Sequence, residues 1–235
     1  MLAITDKFTQ KSAKAQAGGV SSRNSKMPGS SYAQSTDNCL VGAVLALVEG
    51  SVCFECYAAK NEAFRPSVKK GWTDNYMSAT NLIAKNPSQW AKAMSFQIRV
   101  HAIKNEEASH RWFDAGDLSS LAMLEAIVMV AEMTPEVRHW LPTREAAMVK
   151  AWRKAGGIEP SNLIIRMSAT MVNDGPISGH CHTSTVHTKG KAHTGHACPS
   201  TTVAHRSLRD DNKANCGPCR ACWDKQVTNV SYPKH

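Results

Sequence analysis

Long apolar runs are missing from this chain. A membrane-spanning helix needs about 20 consecutive apolar residues. The most apolar stretch, LAMLEAIVMVAEM at 121–133, is shorter and is broken by Glu125 and Glu132. A helical membrane anchor is therefore not expected. The N-terminal MLAITDKFTQ has neither the basic start nor the apolar middle of a secretory signal, which points to a cytoplasmic protein. Aromatic residues are few, at 6%, and they do not interleave with basic residues as they do in a stacking platform for single-stranded nucleic acid. No G-x-S-x-G elbow surrounds Ser184, so a nucleophilic pair of Ser184 and His187 lacks its usual setting. TSTVH at 183–187 reads instead as a polar strand or loop. Acidic residues are in deficit, with 19 Asp and Glu against 28 Lys and Arg and a formal net charge of +9. That excess favours an anionic partner. Much of it lies in KFTQKSAKAQAGGVSSRNSKM at 7–27, inside a polar stretch over 1–30 that reads as a flexible basic arm, able to contact nucleic acid.

Residues 31–235 read as one α/β domain with cysteine-rich loops at both ends. A helix is expected over about 73–85. Another begins at NPSQ, where Asn86 can cap, Pro87 suits the first turn and Gln89 can complete a capping box. Trp90, Met94 and Ile98 then share one helical face. The middle of the chain alternates. RWFDAGD (111–117), VRHWLPTR (137–144) and NLIIRMSAT (162–170) read as strands running into polar loops, and 120–133 and 145–157 as the helices between them. This order predicts a parallel sheet or a partial (β/α) barrel. A final short strand is expected within VTNVSYPKH, where Tyr232 and His235 could close over the sheet. In parallel α/β folds the functional site lies beyond the C-terminal strand ends. Asp114, Asp117, Thr143, Arg144, Arg166 and Ser168 would then share one rim. Asp117, Ser119, Ser120 and Thr143 are also good helix caps. Asp114 and Arg144 have no such role and stand out as site candidates.

Cysteine usage carries the strongest chemical signal. Eight cysteines in a reducing compartment suit metal ligation or catalysis better than disulfides. Three of them, Cys216, Cys219 and Cys222, form a C-x2-C-x2-C run, and Cys198 is followed by proline. A run at this step with a remote Cys-Pro suggests ferredoxin-type ligation of a 4Fe–4S cluster. Cys53 and Cys56 form a C-x2-C pair, Cys39 precedes them, and Cys181 stands apart. Zinc is the alternative, held for instance by Cys53, Cys56, Cys219 and Cys222. The histidines of 180–196 read as solvated loop residues.

VCFECYA (52–58), RWFDAGDL (111–118), HWLPTRE (139–145), IRMSAT (165–170), TSTVH (183–187), CGPCRACW (216–223) and VSYPKH (230–235) resemble, in order, a phage protein family named after gene product eighty-eight. The resemblance implies a phage origin, hence the cytoplasm of an infected host, and a cysteine-bound cluster. It implies that Cys39, Cys53, Cys56, Cys198, Cys216, Cys219 and Cys222 are its usual cysteines, without Cys181. The CYA after C-x2-C also looks like the cluster loop of radical S-adenosylmethionine (SAM) enzymes. The departure is Glu49, which stands where their C-x3-C-x2-C pattern needs a cysteine. Three functions follow as expectations. The first is an iron–sulfur enzyme acting on a small-molecule substrate. A cluster held by three cysteines leaves one iron open as a Lewis acid for hydrolysis, esterase-like, or hydration, with Asp114 or Asp117 as base and Arg144 to stabilise negative charge. The second is a radical SAM-like enzyme. The third is an electron-transfer or nucleic-acid-binding module with a structural cluster or zinc.

Overall fold

The structure is a computed structural model that describes residues 8–22, 26–208 and 211–234. In chain order its helices are α1 (Gln10–Ala17), α2 (Val41–Leu45), α3 (Tyr57–Phe64), α4 (Pro66–Lys85), α5 (Pro87–Asn105), α6 (Leu121–Met133), α7 (Ala146–Lys154) and α8 (Val203–Arg206). Its strands are β1 (Val20–Ser21), β2 (Ser30–Tyr32), β3 (Ser109–Arg111), β4 (Arg138–Thr143), β5 (Leu163–Val172), β6 (Thr183–His187), β7 (His196–Ala197) and β8 (Asn229–Pro233). They form one sheet in the order β1-β2-β3-β4-β5-β6-β8-β7. Among the strands of the described residues, only the β1–β2 pair is antiparallel. The sheet is open and does not close into a barrel.

Strand periodicity sorts β5 between two faces. Leu163, Ile165 and Met167 join Leu141, Trp112 and the buried faces of α1, α4, α5, α6 and α7 in the main core. The alternate residue Ile164 packs with Met27, Trp140 and Trp223 on the opposite face. The helices thus cover one side of the sheet, and irregular C-terminal chain crosses the other.

Local chemistry explains the helix ends. Asn86 caps α5 by accepting from the Gln89 amide at 3.0 Å, but the Gln89 side chain reaches Gln16 rather than closing the capping box. Trp90, Met94 and Ile98 are fully buried. Ser120 caps α6 through the Met123 amide. Helix α4 starts earlier than the expected 73, because Pro66 occupies its first turn. The strand expected at 111–117 ends at Arg111. Phe113 (φ 50°) and Gly116 (φ 81°) take the chain out of extended geometry.

The N-terminal segment departs from the arm expected over 1–30. Thr9 and Ser12 close a capping box on α1. Ala13 and Ala17 are fully buried against α4 and α5. Trp90 Nε1 donates to the Ala17 carbonyl, and the Gln97 amide to the Gly18 carbonyl. Small residues and backbone carbonyls make this contact, so the charged Lys11 and Lys14 stay outside. Residues 1–7, 23–25 and His235 lie outside the described residues.

Candidate functional site: two thiol groups on the sheet

The first thiol group stands on the rim at the C-terminal strand ends. After β2 the chain turns through a 3₁₀ turn at Thr36–Asn38 to Cys39. Val52 donates its amide to the Thr170 carbonyl, and Ser51 bridges Met171. The loop bearing Cys53 and Cys56 is thereby stitched to the end of β5. Gly42 brings two sulfurs together: a Cβ there would stand 3.7 Å from both the Cys39 and Cys53 Sγ atoms and 3.1 Å from the Cys39 Cβ. Burial pushes the Cys39 thiol up to about 12, and the Asp117, Cys56 and Cys53 charges add to this while Arg144 opposes them. Burial raises Cys53 too, against the Arg144 cation.

Two carboxylates near this group are held by backbone amides. Asp117 accepts from the Leu118 amide at 2.7 Å and the Arg144 amide at 3.0 Å, one on each oxygen. Burial dominates its pKa and raises it. Glu145 accepts from the Val41 amide at 2.9 Å, fixing the start of α2 just past Cys39. Asp117 therefore clamps the loops after β3 and β4 rather than capping a helix. Thr143, also expected as a cap, accepts from the Glu145 amide at the entry to α7. Arg144 differs from these residues: its Nε is buried and has no hydrogen-bond partner.

The second thiol group lies on the face away from the helices. Cys198 is tied to β8 through the Ser231 carbonyl at 2.8 Å. The Cys216 amide donates to the Lys26 carbonyl. Trp223 Nε1 donates to the His110 carbonyl on β3. Arg166, fully buried on β5, donates to the Ala221, Cys222, Asp224 and Val227 carbonyls at 2.8–3.0 Å. It therefore works as a staple for the cysteine segment rather than as a rim residue. These ties place Cys198, Cys216, Cys219 and Cys222 together. Burial lifts Cys216 to about 11, with Cys198 and Cys219 adding to the rise and Lys26 and Arg111 opposing it. Burial lifts Cys222 to about 12, opposed first by its contact with Tyr232 and increased by Cys198 and Cys216. The Tyr232 hydroxyl lies 3.1 Å from Cys222 Sγ, and His196 Nε2 lies 3.5 Å from Cys219 Sγ.

Arg111 stands between the groups. Its guanidinium lies 4.7 Å over the Trp140 ring. It feels Tyr57, next to Cys56, on one side and Tyr232 and Cys222 on the other. Asp114 belongs here and not with Asp117: it accepts from the Ser31 hydroxyl at 2.9 Å and faces Arg111.

The seven cysteines thus divide four and three. The cysteine charges that act on Cys39 and Cys53 come from their own group, and those that act on Cys216 and Cys222 from the other. Among the described residues no three His, Cys, Asp or Glu side chains converge tightly enough to hold a single metal ion. Cys181 is exposed, apart from both groups. Ser184 bonds Ser168, and His187 Nδ1 pairs instead with Ser231 at 2.7 Å, so the Ser184–His187 pair does not form. Sequence reasoning missed Lys26, Arg111, His196, Gly42 and Glu145. Arg111 and Glu145 fall within RWFDAGDL and HWLPTRE, but nothing local marks their roles, and each of the five joins a site only through folding. Among the described residues no helix is long and apolar enough to cross a membrane.

A protein-family model described as gene product 88 matches residues 8–225. No curated protein and no solved structure matches the chain.

Proposed function

The chain belongs to the gene product 88 family of phage proteins, and from that premise we propose that it is an iron–sulfur protein whose Cys198, Cys216, Cys219 and Cys222 hold one 4Fe–4S cluster. The observation that supports this most directly is the convergence of Cys198 with the C-x2-C-x2-C run, though 17 residues separate Cys198 from Cys216. The donor set fits such a group. Four thiolates around a cubane leave about two negative charges. Lys26, Arg111 and Arg166 lie around these sulfurs to offset them. Tyr232 stands ready to donate to the Cys222 sulfur, a contact of the kind that tunes a cluster's potential.

When bound, such a group supplies electron transfer or, where a ligand position is left open, Lewis-acid activation of a substrate. The chain's own residues do the rest. Arg166 holds the cysteine segment against the sheet, and Trp223 with Trp140 and Tyr232 keeps water from that face. The hydrolytic reading needs a free base. Asp117 is a poor one, since both its oxygens already accept backbone amides. Asp114 faces Arg111 and Ser31 instead of the thiols at Cys39 and Cys53. The iron–sulfur assignment therefore stands apart from any particular reaction.

The test is anaerobic purification of the full chain with iron, zinc and acid-labile sulfide counted. A loss of about four irons and four sulfides in Cys222→Ser relative to wild type, with a broad absorption at roughly 400 nm, would support the proposal. Stoichiometric zinc without sulfide would overturn it.

A further inference from the structure

We infer that Cys39, Cys53 and Cys56 form a second, separate cluster site with one ligand position left to an anionic small molecule held by Arg144. This rests on the iron–sulfur reading of the four-thiol group and extends it to a different part of the fold.

Four observations carry it. First, Cys39 and Cys53 come from two loops to meet at Gly42, and a turn closed by the Cys56 amide on the Cys53 carbonyl holds Cys56 beside them; the charges that act on Cys39 and Cys53 are those of their own group with Asp117 and Arg144, not those of the second group. Second, Gly42 lets the backbone pack close to two of the sulfurs: a methyl group there would stand 3.7 Å from both and 3.1 Å from the Cys39 Cβ. Third, the two carboxylates near the thiols are engaged by backbone amides, Asp117 by Leu118 and Arg144, and Glu145 by Val41. A carboxylate that left its amides for a metal would strand buried donors, which costs about 1–3 kcal/mol each. Fourth, Arg144 has a buried Nε with no partner. A buried unpaired donor on a cation beside the thiols is satisfied by an oxygen anion, a carboxylate or a phosphate. Three thiols, carboxylates committed to backbone amides and one unpaired guanidinium donor together describe an open centre that binds an anion.

The experiment uses the full chain, purified without oxygen, with citrate and inorganic phosphate as the probes. Iron and sulfide are counted in wild type, Cys222→Ser and Cys53→Ser, and the reduced proteins are examined by electron paramagnetic resonance. Wild type should carry about eight irons, and each single variant should lose about half of them. Citrate or phosphate should shift a signal that Cys222→Ser keeps and Cys53→Ser lacks. Arg144→Met should keep the iron yet need at least tenfold more anion for the same shift. Gly42→Val provides a second probe should Cys53→Ser fold poorly: it should disturb the same signal and spare the other. A wild type with about four irons, all kept in Cys53→Ser, would overturn the second site and leave the four-thiol cluster standing. Protein without iron would overturn both. Eight irons with no response to either anion, or the same response in Arg144→Met, would overturn the open position.

Discussion

Replacing Arg166 should release the cysteine segment from the sheet without unfolding the rest. The side chain is fully buried and donates to six carbonyl oxygens. Four of these bonds, to Ala221, Cys222, Asp224 and Val227, are 2.8–3.0 Å long, and all four fall in one stretch of the C-terminal segment. The other two, to Thr183 and Thr228, are 3.4 Å and add little. A hydrogen bond from a charged donor contributes about 1.5–3 kcal/mol, so four would sum to about 6–12 kcal/mol in Arg166→Met. The full sum is not reached, because neighbouring bonds are not additive and the stranded carbonyls regain water once the segment lifts. The loss is capped by the free energy of docking that segment, about 3–5 kcal/mol, as for other broken buried charge networks. Arg166→Lys retains the charge but has three donors and no planar fork. It should recover less than half. Amide hydrogen exchange over 221–227, followed with Trp223 fluorescence in urea, reads both effects. The expected result is near-complete loss of protection in that segment with β4 and β5 still protected. A loss below about 1 kcal/mol in Arg166→Met, or wild-type protection in Arg166→Lys, would refute the staple.

Further outcomes can be checked independently. Burial lowers His139 to about 3, against roughly 6.5 in an unfolded chain. The folded state therefore binds fewer protons than the unfolded one between those values. Stability from this residue is fully present above pH 6.5 and falls by about 1.4 kcal/mol per unit on acidification. Urea titrations at pH 7 and pH 5 should show this, and His139→Gln should flatten the slope. Gly116→Ala forces a side chain to φ 81° with its Cβ 2.6 Å from the Gln34 carbonyl oxygen. It should cost at least about 2 kcal/mol, or roughly 4–8 °C in Tm by calorimetry. Asp117→Asn can accept from only one of the Leu118 and Arg144 amides, so denaturant unfolding should show a loss of about 1–3 kcal/mol. An unchanged stability would mean that the loops after β3 and β4 do not depend on this carboxylate.

Much of the fold could be read locally. Helix α5 is written in Asn86, Pro87 and the spacing of Trp90, Met94 and Ile98, because capping and amphipathic burial act within a few residues. Strands β4 and β5 and helix α6 follow from the same short-range rules, and their alternation leads to a parallel sheet. Helix α1 was hidden. Its buried face is alanine, and its contacts use carbonyls of Ala17 and Gly18 that no hydropathy pattern records.

The sequence by itself determined which atoms are available for chemistry, its eight cysteines, and an order of elements that makes a parallel sheet. The tertiary structure alone decided how they are shared. It placed Cys198 with Cys216, Cys219 and Cys222, kept Cys39, Cys53 and Cys56 apart on the rim, and set Arg111 between them. It also assigned the polar residues their duties, with Arg166 and Asp117 holding backbone and Arg144 keeping a donor free. The physical reason is range. Caps, turns and periodicity are settled between residues a few positions apart. Thiol partition depends on strands paired across the sheet and on carbonyls that Arg166 reaches 55–62 residues along the chain.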